Sequence, residues 1–484
     1  MKALDIFTWF LLFCLGLYTL LAFLNLSYLP IAWIDETYFL DPAIQFLKTG
    51  TYGSKVWPQE GTEKFLFAHM PMISLVHILN LSLFPWEIFY VRLPFLLIFI
   101  IGMYFYYQLL HEGFGLENAW ALFVVFLFVN DKSTGEAIRS VRTETIEIMW
   151  MAVIFWRMYT DKNSAVTIVC LSFLALTHPK SWAMVGILVL WILWEKRKKK
   201  SLFWLPLLFG LPILLFLAWG KFDILLLKAQ LWAHAEEHGP ATGGGNLVWN
   251  HFVIRFWPYY TVQPYVFLLY LLSLLFAVRA MLNFGSFKDR LLEICFVGTN
   301  LYWFLKLGPY PRYDTVLLFF SYAICGKHLH TYLKAWKVTK KQLLWLALLF
   351  PFVTFVYLSR HGASILQREE RDLAKVLTWY DRYLGNKKEK KILLLNESSG
   401  HYYAITHPWV DFTCLFSLWK FRFEDYDEVY ISSWSRIDQP GVRFVSEYKV
   451  PTVLEGESQK RPMTYAHTKL YQVVDAEAFR ALDK

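Results

Sequence analysis

WIDETYFLDP, residues 33–42, closely follows the first long apolar run of the chain, which covers residues 6–29. A helix needs roughly 20 apolar residues to cross a bilayer, so this run predicts a membrane span and places Asp35 and Glu36 just beyond one membrane face. The aromatic residues around them are ordinary interfacial anchors. Two adjacent carboxylates are less usual at this depth, because charge near the hydrocarbon is costly to desolvate. By themselves, the paired acids fit the start of a solvated loop better than a functional site.

The composition is that of a polytopic membrane protein. Of the 484 residues, 56% are hydrophobic and 19% are aromatic, and the mean hydropathy is +0.35; average soluble domains are less apolar. The net charge of +9 comes from basic residues in short loops between apolar runs. That is the positive-inside pattern and not the footprint of a nucleic-acid-binding protein. The five cysteines stand alone in the sequence, so neither a disulfide framework nor a zinc site is predicted.

The apolar runs predict about eleven spans. The first run is too long for the core of a signal peptide, and Asn25-Leu26-Ser27-Tyr28 is a poor cleavage site, so we expect this span to be retained. Residues 70–84 are short for a span and fit either a short span or a helix lying in the interface. The predicted spans are residues 6–29, 93–110, 119–129, 146–159, 165–176, 182–194, 202–219, 262–278, 291–305, 316–325 and 343–358.

The basic loops decide between the two interpretations of residues 70–84. Dense basic loops occupy residues 195–200, 279–290 and 327–341, and such loops stay cytoplasmic. All three are cytoplasmic, together with the N-terminus, if residues 70–84 lie in the interface. If residues 70–84 span, all three move outside. The interfacial interpretation is therefore preferred, and it places the C-terminal segment outside.

On this topology the outer face gathers the loops that carry most of the unusual polar residues: 35–69, 131–144, 177–180, 221–260 and 306–314. The tail from residue 362 differs in composition from everything before it. It is charged, and residues 391–395, 428–432 and 469–474 are short strand-like runs. An amphipathic helix is predicted near residues 366–383. The tail therefore predicts a small α/β domain, which we expect to shape access of the acceptor and not to carry the chemistry.

Two outer segments near spans have the residue types for chemistry. A carboxylate at Asp35 or Glu36 can act as general base toward a hydroxyl or amine. Arg139 and Arg142 are one helical turn apart, as approximately are Arg142 and Glu147, so one helix face is expected to present a cation beside an acid. Arginine suits bidentate contact with phosphate. A simple charged start of a helix explains the second segment equally well.

Two further candidates lie on the same predicted face. Pro309 and Pro311 stiffen the loop before a late span, which would hold Arg312 at headgroup depth. An interfacial arginine that merely reaches toward water is the alternative. His69 precedes the short apolar helix, but a lone histidine is more often structural.

These segments together resemble a known family. The motifs, in chain order, are Asp35-Glu36 with Tyr38, Leu47-Lys48-Thr49-Gly50, Arg92-Leu93-Pro94, Arg142-Thr143-Glu144 and Pro311-Arg312-Tyr313. The chain resembles the GT-C superfamily of membrane glycosyltransferases, and more narrowly its protein O-mannosyltransferase and aminoarabinose transferase branch, over roughly its first 330 residues.

The resemblance implies a polytopic helical GT-C-like bundle with outer-face catalytic loops, which we assign to residues 1–361. The composition of the tail predicts the small extracytoplasmic α/β domain in residues 362–484. The resemblance also implies a polyprenyl-phosphate sugar donor, a glycan, lipid or protein acceptor, surrounding membrane lipids and no nucleic-acid partner. The enzyme would be inverting and either metal-independent or weakly metal-linked. We expect a multi-pass protein of the bacterial inner (plasma) membrane with its active site on the extracytoplasmic face.

The resemblance also assigns roles to residues. Asp35 matches the catalytic acid of the family, with Glu36 as the fallback base, and Arg142 with Glu144 matches the second-loop site, where many members carry Asp in place of Glu144. Donor-phosphate binding is assigned to the following residues: Arg312, Tyr313, His69 and Arg139. The chain departs from its relatives at Ala68-His69-Met70-Pro71, where they often show His-Pro-Pro or Lys-Pro.

Two other classes of protein stay open at this point. A transporter or lipid flippase would favour charged or broken helices near mid-membrane, whereas the acids and arginines here lie at the ends of the predicted spans. A membrane receptor or scaffold is a weaker alternative. The positions of Asp35, Arg142 and Arg312 discriminate, because an enzyme needs them in one cavity at the outer face.

Overall fold

The structure is a computed structural model of the chain. It describes residues 6–27, 34–54, 64–67, 70–137, 140–162, 164–197, 204–238, 264–282, 286–306, 314–335, 373–396, 400–407, 409–414, 423–433, 437–438, 440–449 and 467–480.

A bundle of long apolar helices makes up most of the described chain. Ten of the eleven predicted spans correspond to helices in it, and the eleventh, residues 343–358, lies outside the described residues. The bundle helices are α1 (Ile6–Leu24), α4 (Ile88–Gln108, extended by a π-helical turn at Leu109–Gly113), α5 (Asn118–Asn130), α7 (Thr143–Tyr159), α8 (Ser164–Ala175), α9 (Trp182–Lys196), α10 (Trp204–Trp219), α12 (Pro264–Leu282), α13 (Leu291–Lys306) and α14 (Asp314–Ala335).

Four shorter or more polar helices accompany the bundle. They are α2 (Ile34–Thr49), α3 (Pro71–Leu83), α6 (Lys132–Ala137) and α11 (Ile224–His238).

Three helices in the described chain are long and apolar enough to cross a membrane by themselves: Ile6–Leu24, Ile88–Gly113 and Tyr265–Leu282. A fourth candidate is the pair Trp204–Trp219 and Ile224–Trp232, which is bent by 96° at its break. These helices make the chain an integral membrane protein. The count of eleven spans is not confirmed and stays a prediction, since the other bundle helices are shorter or less apolar.

Side-chain contacts fix the direction of neighbouring helices. Trp120 Nε1 donates to the carbonyl of Gly326 at one end of α5, and Phe128 meets Tyr322 near the other end, so α5 and α14 are antiparallel. By contrast, α4 and α7 run parallel, because Phe105 faces Trp156 while their first turns also lie together. The bundle thus has two polar ends. The end that holds α2, the first turn of α4 and the first turn of α7 is called the α2 end, and the opposite one is called the far end.

Helix α3 lies across the α2 end. At its start, Met72 N donates to the carbonyl of Leu176, at the end of α8, over 3.2 Å. Near its end, Asn80 Nδ2 donates to the carbonyl of Tyr90 in the first turn of α4, over 2.8 Å. Both contacts are at the same end of the bundle, and a helix of 13 residues is only about 20 Å long. This placement fits the interfacial interpretation of residues 70–84.

The C-terminal part of the chain contains one five-stranded sheet with strand order β2-β1-β3-β5-β4. β1, β2 and β3 are mutually parallel, while β5 pairs antiparallel with β3 and β4. The strands are β1 (Ile392–Asn396), β2 (Val410–Cys414), β3 (Glu428–Ser433), β4 (Val442–Lys449) and β5 (His467–Val473), and the helices are α15 (Leu373–Leu384), α16 (Gly400–Thr406) and α17 (Ala476–Arg480).

The three predicted strands are confirmed as β1, β3 and β5, while β2 and β4 were missed. The predicted amphipathic helix corresponds to α15, and the part of that prediction before residue 373 lies outside the described residues, as does the proposed domain boundary at 362.

The α/β domain packs directly on the α2 end. One hydrophobic core contains Leu40 and Ile44 of α2, Val91 of α4, and Tyr380 and Ile405 of the domain. Burying apolar surface contributes about 25 cal/mol per Å², so a shared core couples the two parts. The domain is therefore seated against the helix that carries Asp35.

The close approach of α4 and α7 generates a prediction about packing. A Cβ atom built on Gly102 would lie 3.1 Å from Met149 Cα, a backbone atom that cannot swing away, whereas one on Gly186 of α9 would meet nothing within 4 Å. Gly102→Leu should therefore force the two helices apart and cost about 1–3 kcal/mol, as overpacking does. The unfolding temperature of the detergent-solubilised protein measures this, with Gly186→Leu as the matched control. Equal melting of the two variants would contradict the close approach of α4 and α7 at Gly102.

Candidate active site

A buried ion pair forms the centre of the α2 end. Arg92 Nε donates to Glu36 Oε1 over 3.0 Å, and Arg92 Nη2 donates to Oε2 over 2.9 Å. Both side chains are almost completely buried, and the bidentate geometry is the strong form of an arginine–carboxylate contact. Arg92 Nη1 also donates to the carbonyl of Leu26, just after α1. The pair therefore ties α1, α2 and α4 together.

The Glu36 carboxylate has two more donors. Val141 N donates to Oε1 over 3.0 Å, and the Tyr402 hydroxyl donates to Oε2 over 2.7 Å. These contacts hold the Glu36 carboxylate, and with it the first turn of α2, in place. The fallback role of Glu36 as general base stays a prediction.

Asp35 precedes Glu36 in the first turn of α2. Its side chain lies outside the described residues, so its catalytic role stays a prediction. Neighbouring residues of a helix are offset by about 100° and 1.5 Å, which means that the anchored Glu36 fixes the backbone from which Asp35 projects. An acidic side chain in a first turn is also favoured by the helix dipole.

A second buried cluster surrounds the start of α7. Arg142 Nε and Nη2 each donate to Glu144 over 3.2 Å, and Lys180 Nζ donates to Glu144 Oε1 over 2.9 Å. Lys180 Nζ also lies 3.2 Å from Glu147 Oε2, and the Ser181 hydroxyl donates to Glu147 Oε1. Two carboxylates, one guanidinium and one ammonium thus compensate one another, as buried charges must.

Exposure distinguishes the members of this cluster. The Arg142 side chain keeps 16% of its surface accessible, against 0% for the side chains of Lys180 and Glu147. Arg142 is therefore the cation of this cluster that a ligand can reach. The buried lysine and carboxylates hold it in position from behind.

The local geometry of Arg142 corrects one expectation. Arg142 is extended, with φ −141° and ψ 144°, and α7 begins only at the next residue. It therefore does not share a helix face with Arg139, and it pairs with Glu144, two residues on, instead of with a residue one turn away. A cation–carboxylate contact does form, but between Arg142 at the N-cap of α7 and Glu144 in its first turn.

Sequence reasoning missed several contributors to this site. Lys180 was recognised only as part of an outer turn, Arg92 only as part of a family motif, and Tyr402 was not considered. The sequence did contain a signal for Lys180, which lies between Pro179 and an apolar helix. A lysine buried at such a position needs a carboxylate partner, because an unpaired lysine is rarely buried. No comparable local signal marks Tyr402.

Four predicted site residues lie outside the described residues: Arg139, His69, Arg312 and Tyr313. The helices that flank the last two can nevertheless be placed. Trp303 of α13 donates to the carbonyl of Lys180 over 3.1 Å, so α13 ends at the α2 end, and α14 starts there with Asp314. Donor-phosphate binding by these four residues stays a prediction.

In the described part of the chain, no three His, Cys, Asp or Glu side chains are grouped to hold a metal ion. Lys180 bridges the carboxylates of Glu144 and Glu147.

Comparison with known proteins returned little. No protein-family model matches the chain, and no curated protein is similar in sequence. Among solved structures, the crystal structure of ArnT from Cupriavidus metallidurans in the apo state is similar at 14% sequence identity and a TM-score of 0.46, over 78% of this chain and 72% of that chain. A likeness of this size says nothing about substrate or mechanism.

The buried position of Lys180 generates a prediction about stability. Lys180→Met would leave Glu144 and Glu147 together in the interior without their shared cation. Removing one partner of a buried charge cluster costs about 3–5 kcal/mol, and we expect a loss of that size in a thermal unfolding experiment. Lys162→Met at the far end is the matched control, since Lys162 and Glu112 form an exposed pair and exposed pairs contribute little. Similar unfolding temperatures for Lys180→Met and the control would contradict the cluster.

Proposed function

We propose that this protein is a membrane glycosyltransferase of the GT-C type, which transfers a sugar from a polyprenyl-phosphate donor to a glycan, lipid or protein acceptor. One observation carries the proposal: the helix of Asp35 and the accessible cation Arg142 meet at the same end of the bundle. They are joined by the hydrogen bond from Val141 N, next to Arg142, to Glu36, next to Asp35. The motif resemblance in the first 330 residues supports the same assignment.

The site suits a lipid-linked donor. Such a donor must keep its polyprenyl tail in the bilayer and its phosphate at the headgroup plane. Arg142 lies where the apolar α7 begins, and this position supports a contact with a phosphate at that plane. Arginine binds phosphate oxygens through a planar, permanently charged fork. A soluble nucleotide-sugar site is not needed for this chemistry.

In the proposed reaction the acceptor oxygen or nitrogen forms a bond to the anomeric carbon of the sugar. The bond between that carbon and the phosphate oxygen breaks, and its electron pair leaves with the polyprenyl phosphate. Asp35 takes the proton of the acceptor as general base. Arg142 and Arg312 stabilise the charge that develops on the leaving phosphate. In-line attack inverts the anomeric configuration.

The distribution of basic residues supports the orientation. Basic residues cluster at the far end: Lys196, Arg197, Lys288, Arg290 and Lys327. Because basic segments stay cytoplasmic, the far end is assigned to the cytoplasm. The α2 end and the α/β domain are then extracytoplasmic, where a flipped lipid-linked sugar is presented, and we assign the protein to the bacterial inner membrane.

The rival assignment is a transporter or flippase. Such a protein is expected to place ionisable groups along a path through mid-membrane. Most buried charged residues of the described chain instead lie at the ends of the bundle: Glu36, Asp41, Arg92, Glu144, Glu147, Lys180 and Glu293. Asp131, which follows α5, accepts from Tyr322 near the middle of α14. This distribution favours an enzyme with a site at one membrane face.

Transfer from a panel of radiolabelled polyprenyl-phosphate sugars, measured in membranes that contain the protein, tests the proposal. Label incorporated into a glycan, lipid or protein fraction supports it. Movement of labelled donor between leaflets, without transfer from any donor of the panel, would instead establish the flippase.

Asp35→Asn should abolish transfer while leaving donor binding nearly unchanged. The amide keeps the size of the carboxylate but cannot accept the proton, and removing general-base catalysis typically costs about 10²–10⁴-fold in rate. Turnover and donor binding are measured on the same preparation. The control is Asp161→Asn at the far end, which should behave like the wild type. Near-normal turnover of Asp35→Asn in folded protein would remove Asp35 from the mechanism.

Arg312→Ala should act differently and weaken donor binding. Its proposed partner, the phosphate, is negatively charged in the bound donor as well as in the transition state, so ground-state binding is lost too. We expect a rise in the donor KM of roughly tenfold or more, consistent with a lost charged hydrogen bond of about 1.5–3 kcal/mol. Arg197→Ala at the far end is the control. An unchanged donor KM in Arg312→Ala would refute the contact.

A further inference from the structure

A phenol of the α/β domain forms a hydrogen bond with the proposed catalytic helix α2. Tyr402 lies on α16 and is 2% exposed, and its hydroxyl donates to Glu36 Oε2 over 2.7 Å. A second contact joins the same two helices farther along, where Lys48 Nζ donates to the carbonyl of Ile405 over 2.9 Å. Helix α16 therefore contacts α2 near the start and near the end of α2.

The neighbouring tyrosine on α16 has a different role. The Tyr403 hydroxyl donates to Asp381 Oδ1 over 3.1 Å, and its ring stacks on Tyr380 at a centroid distance of 5.6 Å. Both of these partners belong to α15 of the α/β domain. Tyr402, by contrast, faces Trp86 of the bundle at 6.0 Å. Tyr403 thus stabilises the α/β domain internally, whereas the adjacent Tyr402 contacts residues outside the domain.

We propose that Tyr402 is a positioning residue for the transfer reaction, which acts through Glu36 to hold the first turn of α2 and therefore the Asp35 carboxylate. The inference rests on the proposed role of Asp35. It changes the expectation for the α/β domain, which was only to shape acceptor access: the domain completes the support of the catalytic turn.

The physical argument follows from the coordination of Glu36. Among the described side chains, Arg92 of α4 and Tyr402 of α16 contact this carboxylate. Without the phenol, Oε2 loses its shortest hydrogen bond, and the negative charge of Glu36 is less compensated. A less compensated negative charge on the neighbouring residue disfavours ionisation of Asp35 and so raises its pKa, and a looser first turn misplaces its carboxylate. Misplacement of a reacting group by about 1 Å can cost about 10²-fold in rate.

The test compares Tyr402→Phe with Tyr403→Phe in the full-length protein. Each variant removes one buried hydroxyl from the same helix, but only the first contacts Glu36. We expect Tyr402→Phe to lower kcat about tenfold or more, at the scale of one lost hydrogen bond to a charged group, and to leave the donor KM unchanged. Tyr403→Phe should keep both constants near the wild-type values.

A pH profile separates positioning from a loss of folded protein. The acid limb of kcat/KM reports the pKa of the free general base, and its position does not depend on the fraction of active enzyme. It should move to higher pH in Tyr402→Phe and stay in place in Tyr403→Phe. Rates are normalised to the number of donor-binding sites, and unfolding temperatures are measured for both variants.

The possible outcomes are distinct. Equal kinetics and equal pH profiles for the two variants overturn the positioning role, and so does an equal loss in both, which would show a general dependence on the stability of the domain. Absence of transfer by the wild type from every donor of the panel defeats the proposed function itself. Transfer by the wild type together with an unshifted acid limb in Tyr402→Phe defeats the inference alone.

Discussion

The buried ion pair between Glu36 and Arg92 is the constraint on which the α2 end depends. Taking two charges out of water costs several kcal/mol per ion, and the cost is recovered only when the geometry is good and the remaining lone pairs are satisfied. Here the backbone N–H of Val141, the hydroxyl of Tyr402 and the carbonyl of Leu26 provide that satisfaction. Five separate parts of the chain are therefore forced to meet at one carboxylate–guanidinium pair.

The second cluster follows the same principle with a different result. Lys180 and Glu147 are sealed off, and Arg142 alone in that cluster keeps an accessible edge. An arginine on the surface would spend side-chain entropy in binding a phosphate, whereas one held by Glu144 has already lost that freedom. The first cluster therefore anchors helix α2, and the second anchors the Arg142 guanidinium at the same end of the bundle.

Local sequence patterns predicted the elements whose interior faces are apolar. The strands β1, β3 and β5 were recognised because they are the three central strands of the sheet, whereas both missed strands are edges, β2 and β4. An edge strand such as Val442–Lys449 carries charged residues that interrupt the apolar pattern. Local patterns do not predict contacts between residues that are far apart in the sequence. The expected pairing within one face of α7 failed because Arg142 precedes the helix, and Tyr402 contacts a residue with which it shares no local pattern.

The distance along the chain between Glu36 and Tyr402, 366 residues, has a consequence for biogenesis. Arg92 is synthesised soon after Glu36, so their pairing is available early during insertion. At roughly 5–20 residues per second, Tyr402 leaves the ribosome roughly 20–70 s later than Glu36. During that interval every bundle helix from α4 to α14 is already made, yet the carboxylate lacks the hydrogen bond from Tyr402. The first turn of α2 therefore stays incompletely anchored until the α/β domain has been synthesised and has packed against it.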